Sequence, residues 1–338
     1  MLFSKDIGID LGTANTLMCA RGRIIMREPS VVAYDVRNDI VKAVGKEAKA
    51  MIGRTPGSVA AVRPLKDGVV ADFDFTAAML KKFIKQALRG SIYTRVRLLI
   101  SVPAGITEVE SRAVYDAARQ AGAAFVELIE EPMAAAIGAG LPTDEAKGCM
   151  VVDLGGGTTG VAVISLGDIV TAQSIRVAGD DLDKAITEYI RKKHGMLIGE
   201  RTAEQIKIQI GSVLPYEDEE SMEIKGRNQV DGLPKNVLIT AEEIREAMMR
   251  TVRQILDAVK STLEKTPPEL AADILDNGIT LTGGGAYLRG LDKYLAQETG
   301  MPVKVADHPM DCVVLGTAKR LEKTEFLGNT FRTTKRYR

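Results

Sequence analysis

Ile9-Asp10-Leu11-Gly12-Thr13 recurs later in the chain as Val152-Asp153-Leu154-Gly155-Gly156-Gly157-Thr158. Each copy ends a strand pattern on an aspartate and then enters a glycine turn. In the first copy Ile7, Ile9 and Leu11 alternate with Gly8 and Asp10, so residues 7–19 read as two strands around a tight turn. In the second, residues 150–153 and 161–166 read as buried strands on either side of the glycines. The copies lie 143 residues apart, nearly half of a 338-residue chain. That spacing predicts two related α/β halves, each carrying its own loop, facing each other across a cleft.

The chemistry of such a pair is specific. A phosphate chain needs backbone N–H groups aimed at it, and glycine lets the backbone approach without a Cβ. Gly12, Thr13 and Ala14 meet that need in one half, and Gly155, Gly156, Gly157 and Thr158 in the other. Asp10 and Asp153 add a carboxylate at each strand end. Mg²⁺ prefers oxygen ligands and keeps several waters, so the two aspartates suit a metal held through its water shell. Read singly, each aspartate is equally a turn residue that satisfies backbone amides; the repetition favours the metal reading.

Gly155 to Gly160 also fits the dinucleotide pattern GxGxxG, which must open a helix. Here the β-branched run Val161-Ala-Val-Ile-Ser165 follows, so a strand is expected instead. A third glycine loop, Gly283-Gly284-Gly285-Ala286, follows the strand pattern 279–282 and precedes a helix, and its bare backbone suits a base or ribose. Glu130-Glu131-Pro132 opens a small-residue helix, with Pro132 expected at its first position. A carboxylate there sits well at the positive dipole end; the sharper reading is that Glu131 aims a water at the terminal phosphate.

Composition narrows the classes. Lys plus Arg and Asp plus Glu are both 45, so the chain lacks the positive field of a protein that coats nucleic acid. Cys19, Cys149 and Cys312 are far apart and form no CxxC pair, which speaks against a disulfide framework or zinc site and fits a reducing cytoplasm. His194 and His308 have no second metal ligand nearby in sequence and read as surface or loop residues. The N-terminus lacks a basic segment followed by an apolar one, and no run reaches the ~18 apolar residues of a membrane span. The expectation is a cytosolic protein, at most attached to a membrane surface.

Along the chain, residues 31–66 hold short strand and turn signals and suggest a small inserted subdomain; residues 76–89 and 96–102 read as helix and strand. Residues 215–239, with the acidic run 217–220, suggest a strand–loop–strand unit in a second insert. Thr107, Thr202, Thr240 and Thr266 each precede a Glu or Gln at the third following position, predicting four capping boxes. In the last, Pro267 takes the first helical position. The tail, residues 323–338, is basic.

Taken together these residues resemble the superfamily of actin, sugar kinases and DnaK-type chaperones. Within it the chain is most similar to the MreB family of bacterial actin-like cell-shape proteins. The stretches that carry this are Asp6-Ile-Gly-Ile-Asp-Leu-Gly-Thr-Ala-Asn-Thr16, Ile52-Gly-Arg-Thr-Pro56, Leu65-Lys-Asp-Gly-Val69, Ile129-Glu-Glu-Pro-Met-Ala-Ala-Ala-Ile-Gly138, Ser174-Ile-Arg-Val-Ala-Gly179 and Ser261-Thr-Leu-Glu-Lys-Thr-Pro-Pro-Glu-Leu270. They extend the resemblance over residues 4–322.

The resemblance implies an α/β, actin-like ATPase fold: two ribonuclease-H-like halves, a central nucleotide cleft and two small inserted subdomains. It implies a first half at 1–141 with an insert near 33–66, and a second at 142–322 with an insert near 180–250, the C-terminal helix packing back on the first half. ATP and Mg²⁺ are the implied cofactors. Gly12, Thr13 and Ala14, with Asn15 close behind, would meet the phosphates together with residues 155–158. Glu204, Gln205, Ile206 and Lys207 would lie beside the adenosine, with Gly283, Gly284, Gly285 and Ala286 on its other side. Glu131 and Thr158 would orient the attacking water. One position departs: the family commonly carries an acidic residue where this chain has Gly160, which leaves the phosphate contacts intact.

The implied function is an ATP-dependent filament that determines cell shape by organising cell-wall synthesis, with slow hydrolysis tied to assembly. Its implied partners are further copies of the chain, the inner face of the cytoplasmic membrane and cell-wall morphogenesis proteins, and no nucleic acid. Leu2 and Phe3, with Ile92 and Tyr93 among Arg89, Arg95 and Arg97, are the candidate membrane contacts. The alternatives are a sugar-type kinase and a non-polymerising ATP module. No separate sugar pocket is legible, and a DnaK-type chaperone would need a substrate-binding domain beyond Arg338.

Overall fold

The computed structural model describes residues 4–88 and 95–326. The chain opens with a meander of β1 (Ser4–Leu11), β2 (Asn15–Ala20) and β3 (Arg23–Pro29). A small unit follows: β4 (Val32–Asp35), β5 (Ile40–Val44), α1 (Lys46–Lys49) and β6 (Val59–Val62). Then come a short hairpin of β7 (Leu65–Lys66) and β8 (Val69–Val70), and α2 (Phe73–Ala87). β9 (Arg95–Val102), α3 (Glu108–Gln120), β10 (Phe125–Glu130) and α4 (Glu131–Gly138) close this part.

The pattern then repeats. A second meander of β11 (Cys149–Leu154), β12 (Thr159–Ser165) and β13 (Asp168–Ile175) leads to α5 (Gly179–His194). β14 (Met196–Leu197), α6 (Glu200–Ile210), β15 (Ser221–Asn228) and β16 (Pro234–Thr240) form another small unit. α7 (Ala241–Glu264), α8 (Pro268–Asn277), β17 (Ile279–Thr282), α9 (Leu291–Thr299), β18 (Val303–Val305) and α10 (Cys312–Phe326) complete it.

The two large sheets have the same strand order: β3-β2-β1-β9-β10 and β13-β12-β11-β17-β18. In each, a meander pairs antiparallel and its first strand pairs parallel to a strand arriving after a helix. The register repeats as well, since Asp10 faces Leu17 across the first hairpin and Asp153 faces Gly160 across the second. Three-stranded sheets, β5-β4-β6 and β14-β15-β16, are set into the two parts.

Burial follows the pattern of the strands. The central strand β11 and its neighbour β12 are buried along their whole length, and β17 likewise, so they read as apolar runs. The outer β13 alternates instead. One core gathers Ile7, Ile9, Leu80, Phe83 and Leu98 against the first sheet; another gathers Val152, Val161, Ile186, Ile255 and Leu281 against the second.

Two helices join these parts. α4 and α10 cross so tightly that a Cβ on Gly138 would lie 1.7 Å from the Cys312 carbonyl oxygen, and one on Gly316 would lie 1.8 Å from that of Ala134. α10 also lies on β1, where Thr317 touches Gly8. Among the described residues no helix is long and apolar enough to cross a membrane.

Helix starts test the capping predictions. Thr107 and Thr240 form complete capping boxes with Glu110 and Glu243. Thr202 does not: α6 begins at Glu200 with Gly199 as its cap, so Thr202 is already inside the helix. Gly199 takes the extended cap conformation and Glu200 favours the dipole, which moves the start earlier. At α8 the cap is Pro267 and Pro268 is the first residue, one position later than expected; Thr266 instead donates to the Thr262 carbonyl at 2.8 Å, closing α7. α4 starts at Glu131 with Pro132 second, a position that also lacks an intrahelical partner for its nitrogen.

Candidate functional site

The two glycine turns meet. In the first, Gly12 N–H donates to the Asn15 carbonyl at 3.1 Å; in the second, Gly155 N–H donates to that of Thr158 at 2.9 Å. The same hairpin closure therefore recurs at both strand ends. Ser30 braces the first turn by donating to the Gly12 carbonyl at 2.6 Å. A Cβ on Gly156 would lie 2.7 Å from the Ala14 methyl, and one on Gly157 would lie 2.7 Å from Thr13 Oγ1. The second loop lays bare backbone against the Thr13 and Ala14 side chains because it has none of its own there.

A third segment wedges between them. Asp67 and Gly68, at the β7–β8 turn, have φ of 52° and 76°. Gly68 N–H donates to Thr13 Oγ1 at 2.9 Å, and the Asp67 Cα lies beside Gly157. Gly283 also has positive φ, and a side chain there would strike the Leu154 carbonyl at 2.3 Å. The third glycine loop thus abuts the strand end that carries Asp153. It continues into a 3₁₀ turn, Gly284–Tyr287, before α9, rather than directly into an α-helix.

Three carboxyl groups gather here, Asp153 and Glu131 buried and Asp10 half-buried. Asp153 and Glu131 are 6% and 7% exposed. Burial raises Asp10 to about 7, helped by the Asp153 charge and opposed by the Ser101 hydroxyl and by Arg27. Burial raises Asp153 to about 6, opposed by its hydrogen bond from Thr282. Burial, then Asp153 and Asp10, holds Glu131 well above the usual carboxylate range. Asp153 raises both Asp10 and Glu131, Asp10 also raises Glu131, and three acids gathered in this way form an oxygen donor set that fits a hard cation. Among the described residues no group of three or more His, Cys, Asp or Glu side chains is placed to hold a metal ion directly.

The duplication extends to the hydroxyls, which sequence reading missed. Ser101 at the end of β9 points its Oγ at Asp10, at 3.4 Å; Thr282 at the end of β17 donates to Asp153 at 2.7 Å. The signal was a hydroxyl in the last two positions of each parallel partner strand. Beyond these, Arg27 of β3 forms an ion pair with Asp311, at one side of Asp10.

The predicted adenosine-side residues lie on α6. Lys207 donates to the Gly179 carbonyl at 2.9 Å and meets Asp183 at 2.9 Å. Glu204 lies 3.3 Å from Lys49. Ile206 is fully buried under the helix, which assigns it to the core. Gln205 lies on the same turn. Gly160 backs onto Pro132, where a Cβ would lie 3.8 Å from the proline Cδ, an ordinary contact. Strand β12 follows the glycines, as the rejection of a dinucleotide fingerprint required. His194 meets Glu243 at 3.0 Å, near the α7 cap, and the three cysteines are free and buried. Leu2, Phe3, Ile92 and Tyr93 lie outside the described residues.

Comparison with known proteins agrees with this geometry. The family model described as MreB/Mbl protein matches residues 4–329. The cell shape-determining protein Mbl of Bacillus subtilis (strain 168) is 51% identical over 327 residues, which cover 96% of this chain and 98% of that one. The cell shape-determining protein MreB of Escherichia coli (strain K12) is 52% identical over 335 residues, 97% and 96% of the two chains. The crystal structure of MreB5 of Spiroplasma citri bound to ADP superposes with a TM-score of 0.91 at 41% identity, covering 96% of this chain and 99% of that one. The MamK double helical filament structure shares the fold, with a TM-score of 0.81 at 22% identity over 94% and 99% of the chains.

Proposed function

The chain belongs to the MreB/Mbl family, and from that premise we propose that it is an actin-like cytoskeletal protein whose assembly is driven by ATP and which determines cell shape. The observation that carries the reading is the pairing of Asp10 with Asp153 at two equivalent strand ends, each beside a glycine turn, with the turns in contact. Relatives of this family at 41% identity have been crystallised with ADP and with AMPPNP.

In this reading the halves at 1–141 and 142–322 close on one nucleotide. Residues 13–15 and 156–158 supply backbone N–H donors to the phosphates, while Gly12 and Gly155 close the turns, and Thr13 and Thr158 add hydroxyls. Asp10 and Asp153 would hold Mg²⁺ through its waters, and the ion would neutralise phosphate charge. Ser101 and Thr282 keep those carboxylates aimed. Glu204, Gln205 and Lys207, with residues 283–286 opposite, flank the adenosine. Glu131, the first residue of α4, orients the attacking water with Thr158. Phosphoryl transfer asks little beyond position and charge, so slow turnover is consistent with so sparse a set.

Filaments of the chain attach to the inner membrane face and engage cell-wall morphogenesis proteins. Attachment is peripheral, through Leu2, Phe3, Ile92 and Tyr93 with the basic tail. Each basic residue near anionic lipid contributes about 1 kcal/mol, and a filament multiplies a weak patch.

Purified chain with ATP and Mg²⁺, imaged by negative-stain microscopy beside a phosphorylation assay on a sugar panel, separates this from the kinase reading. Filaments without sugar phosphate are expected. Sugar phosphate without filaments contradicts the proposal.

A further inference from the structure

Two basic side chains of the β4–β6 unit span the cleft through three ion pairs to α5 and α6. Arg63, just after β6, sits 2.6 Å from Asp180 and 3.9 Å from Glu200. Lys49, the last residue of α1, sits 3.3 Å from Glu204. The Arg63 and Asp180 side chains keep only 30% and 23% exposure, so this is not a freely solvated pair. Burial disfavours the charge on Arg63, and Asp180, Glu200 and Glu204 more than offset it.

The acidic partners are tied to the site. Asp180 N–H donates to the Gly156 carbonyl at 2.8 Å, and Gly179 N–H donates to that of Gly155 at 3.2 Å. Lys207 anchors the same turn through the Gly179 carbonyl. A force on Asp180 therefore reaches the second glycine loop through one hydrogen bond. Glu204 sits one helical turn before Lys207, on the face assigned to the adenosine.

From this connection we infer that Arg63 and Lys49 are positioning residues of the nucleotide site. They latch the two halves across the cleft, hold the second phosphate loop and Glu204 against the first half, and set how long the nucleotide stays. The inference rests on the nucleotide reading above. All three pairs must separate before the cleft opens, whereas entry into an open cleft breaks none of them. Losing the latch therefore speeds release and leaves association alone. Half-exposed charge pairs are also screened by salt, so release from the intact protein accelerates as ionic strength rises.

The test loads the full chain, held below its assembly concentration, with N-methylanthraniloyl-ATP and Mg²⁺, then chases with unlabelled ATP. Arg63→Ala and Lys49→Ala are each expected to speed release about threefold, and the double variant about tenfold, the scale of partly exposed pairs at separate sites. Arg63→Lys should restore most of the dwell time. Salt should accelerate release from the wild type and hardly affect the double variant. A double variant that releases at the wild-type rate, with the wild-type salt dependence, overturns the latch. Should the variants fail to fold, as read by thermal melting, salt-independent release from the wild type overturns it equally. A wild type that binds no labelled nucleotide contradicts the nucleotide reading itself, a separate and visible outcome.

Discussion

Gly316 of α10 lies so close to Ala134 of α4 that a Cβ on the glycine would come within 1.8 Å of the alanine carbonyl oxygen. The contact is reciprocated one turn away by Gly138 and Cys312. These helices connect the two halves, and their approach is limited by backbone alone. Propensity favours Ala over Gly inside a helix by about 1 kcal/mol. Here the clash is with a carbonyl, which no rotamer change relieves, so overpacking outweighs propensity. Gly316→Ala is expected to lose ~2–3 kcal/mol in urea unfolding. A stabilised variant would mean the helices separate freely.

The buried carboxylates give a pH dependence of defined sign. In the folded state Asp10 at about 7 and Asp153 at about 6 lie above their ordinary 3.8. The native chain therefore keeps protons that the unfolded chain has released. The stability they contribute is fully present below about 4 and is lost as pH rises through 6 to 7. Without nucleotide, Asp10→Asn should be more stable than wild type at pH 8, by ~1–2 kcal/mol, and gain little at pH 5. Comparing the two melting profiles cancels the titrating groups that do not interact with Asp10. Thr282→Val should move Asp153 higher still, so that metal-dependent nucleotide binding weakens near neutrality and recovers in alkali. Unchanged pH profiles in both variants would remove the carboxylates from the metal site.

Glu131 is separable from binding. Glu131→Gln keeps shape and burial but replaces the carboxyl group that aims a water with an amide. Turnover is expected to fall on the order of a hundredfold while nucleotide affinity stays within about threefold. Phosphate release and equilibrium titration measure the two. A parallel loss in both would assign Glu131 to binding or folding.

Membrane attachment is tested on liposomes. An Ile92→Ser, Tyr93→Ser double variant that still assembles should co-sediment with anionic vesicles several-fold less than wild type. Equal binding would sink the loop, and removal of residues 327–338 would then report whether the basic tail attaches the chain by charge.

Much of this was legible because it is local or repeated. The Asp10 and Asp153 hairpins announce themselves by composition, and Thr107 and Thr240 announce helix starts through residues three positions away. Thr202 misled because the same pattern lies inside a helix already begun at Gly199, where a glycine cap leaves no side-chain signature. Thr266 misled by one residue because two successive prolines both suit a helix entry. The cross-cleft pairs were illegible for another reason. Arg63 and Asp180 are 117 residues apart in sequence, and only the facing of the two halves brings them together. Ser101 and Thr282 fall between: each is ordinary alone, and the duplication gives them meaning once the parallel register is known.

The central claim is that one nucleotide, held by both strand-end aspartates, drives assembly. Light scattering of the purified chain on addition of ATP with Mg²⁺, beside Asp153→Ala at equal concentration, tests it most directly. The wild type should assemble with ATP and Mg²⁺, and not without nucleotide, and Asp153→Ala should need a far higher concentration. Equal assembly by both proteins, or assembly of the wild type that ignores nucleotide and magnesium, would contradict the account.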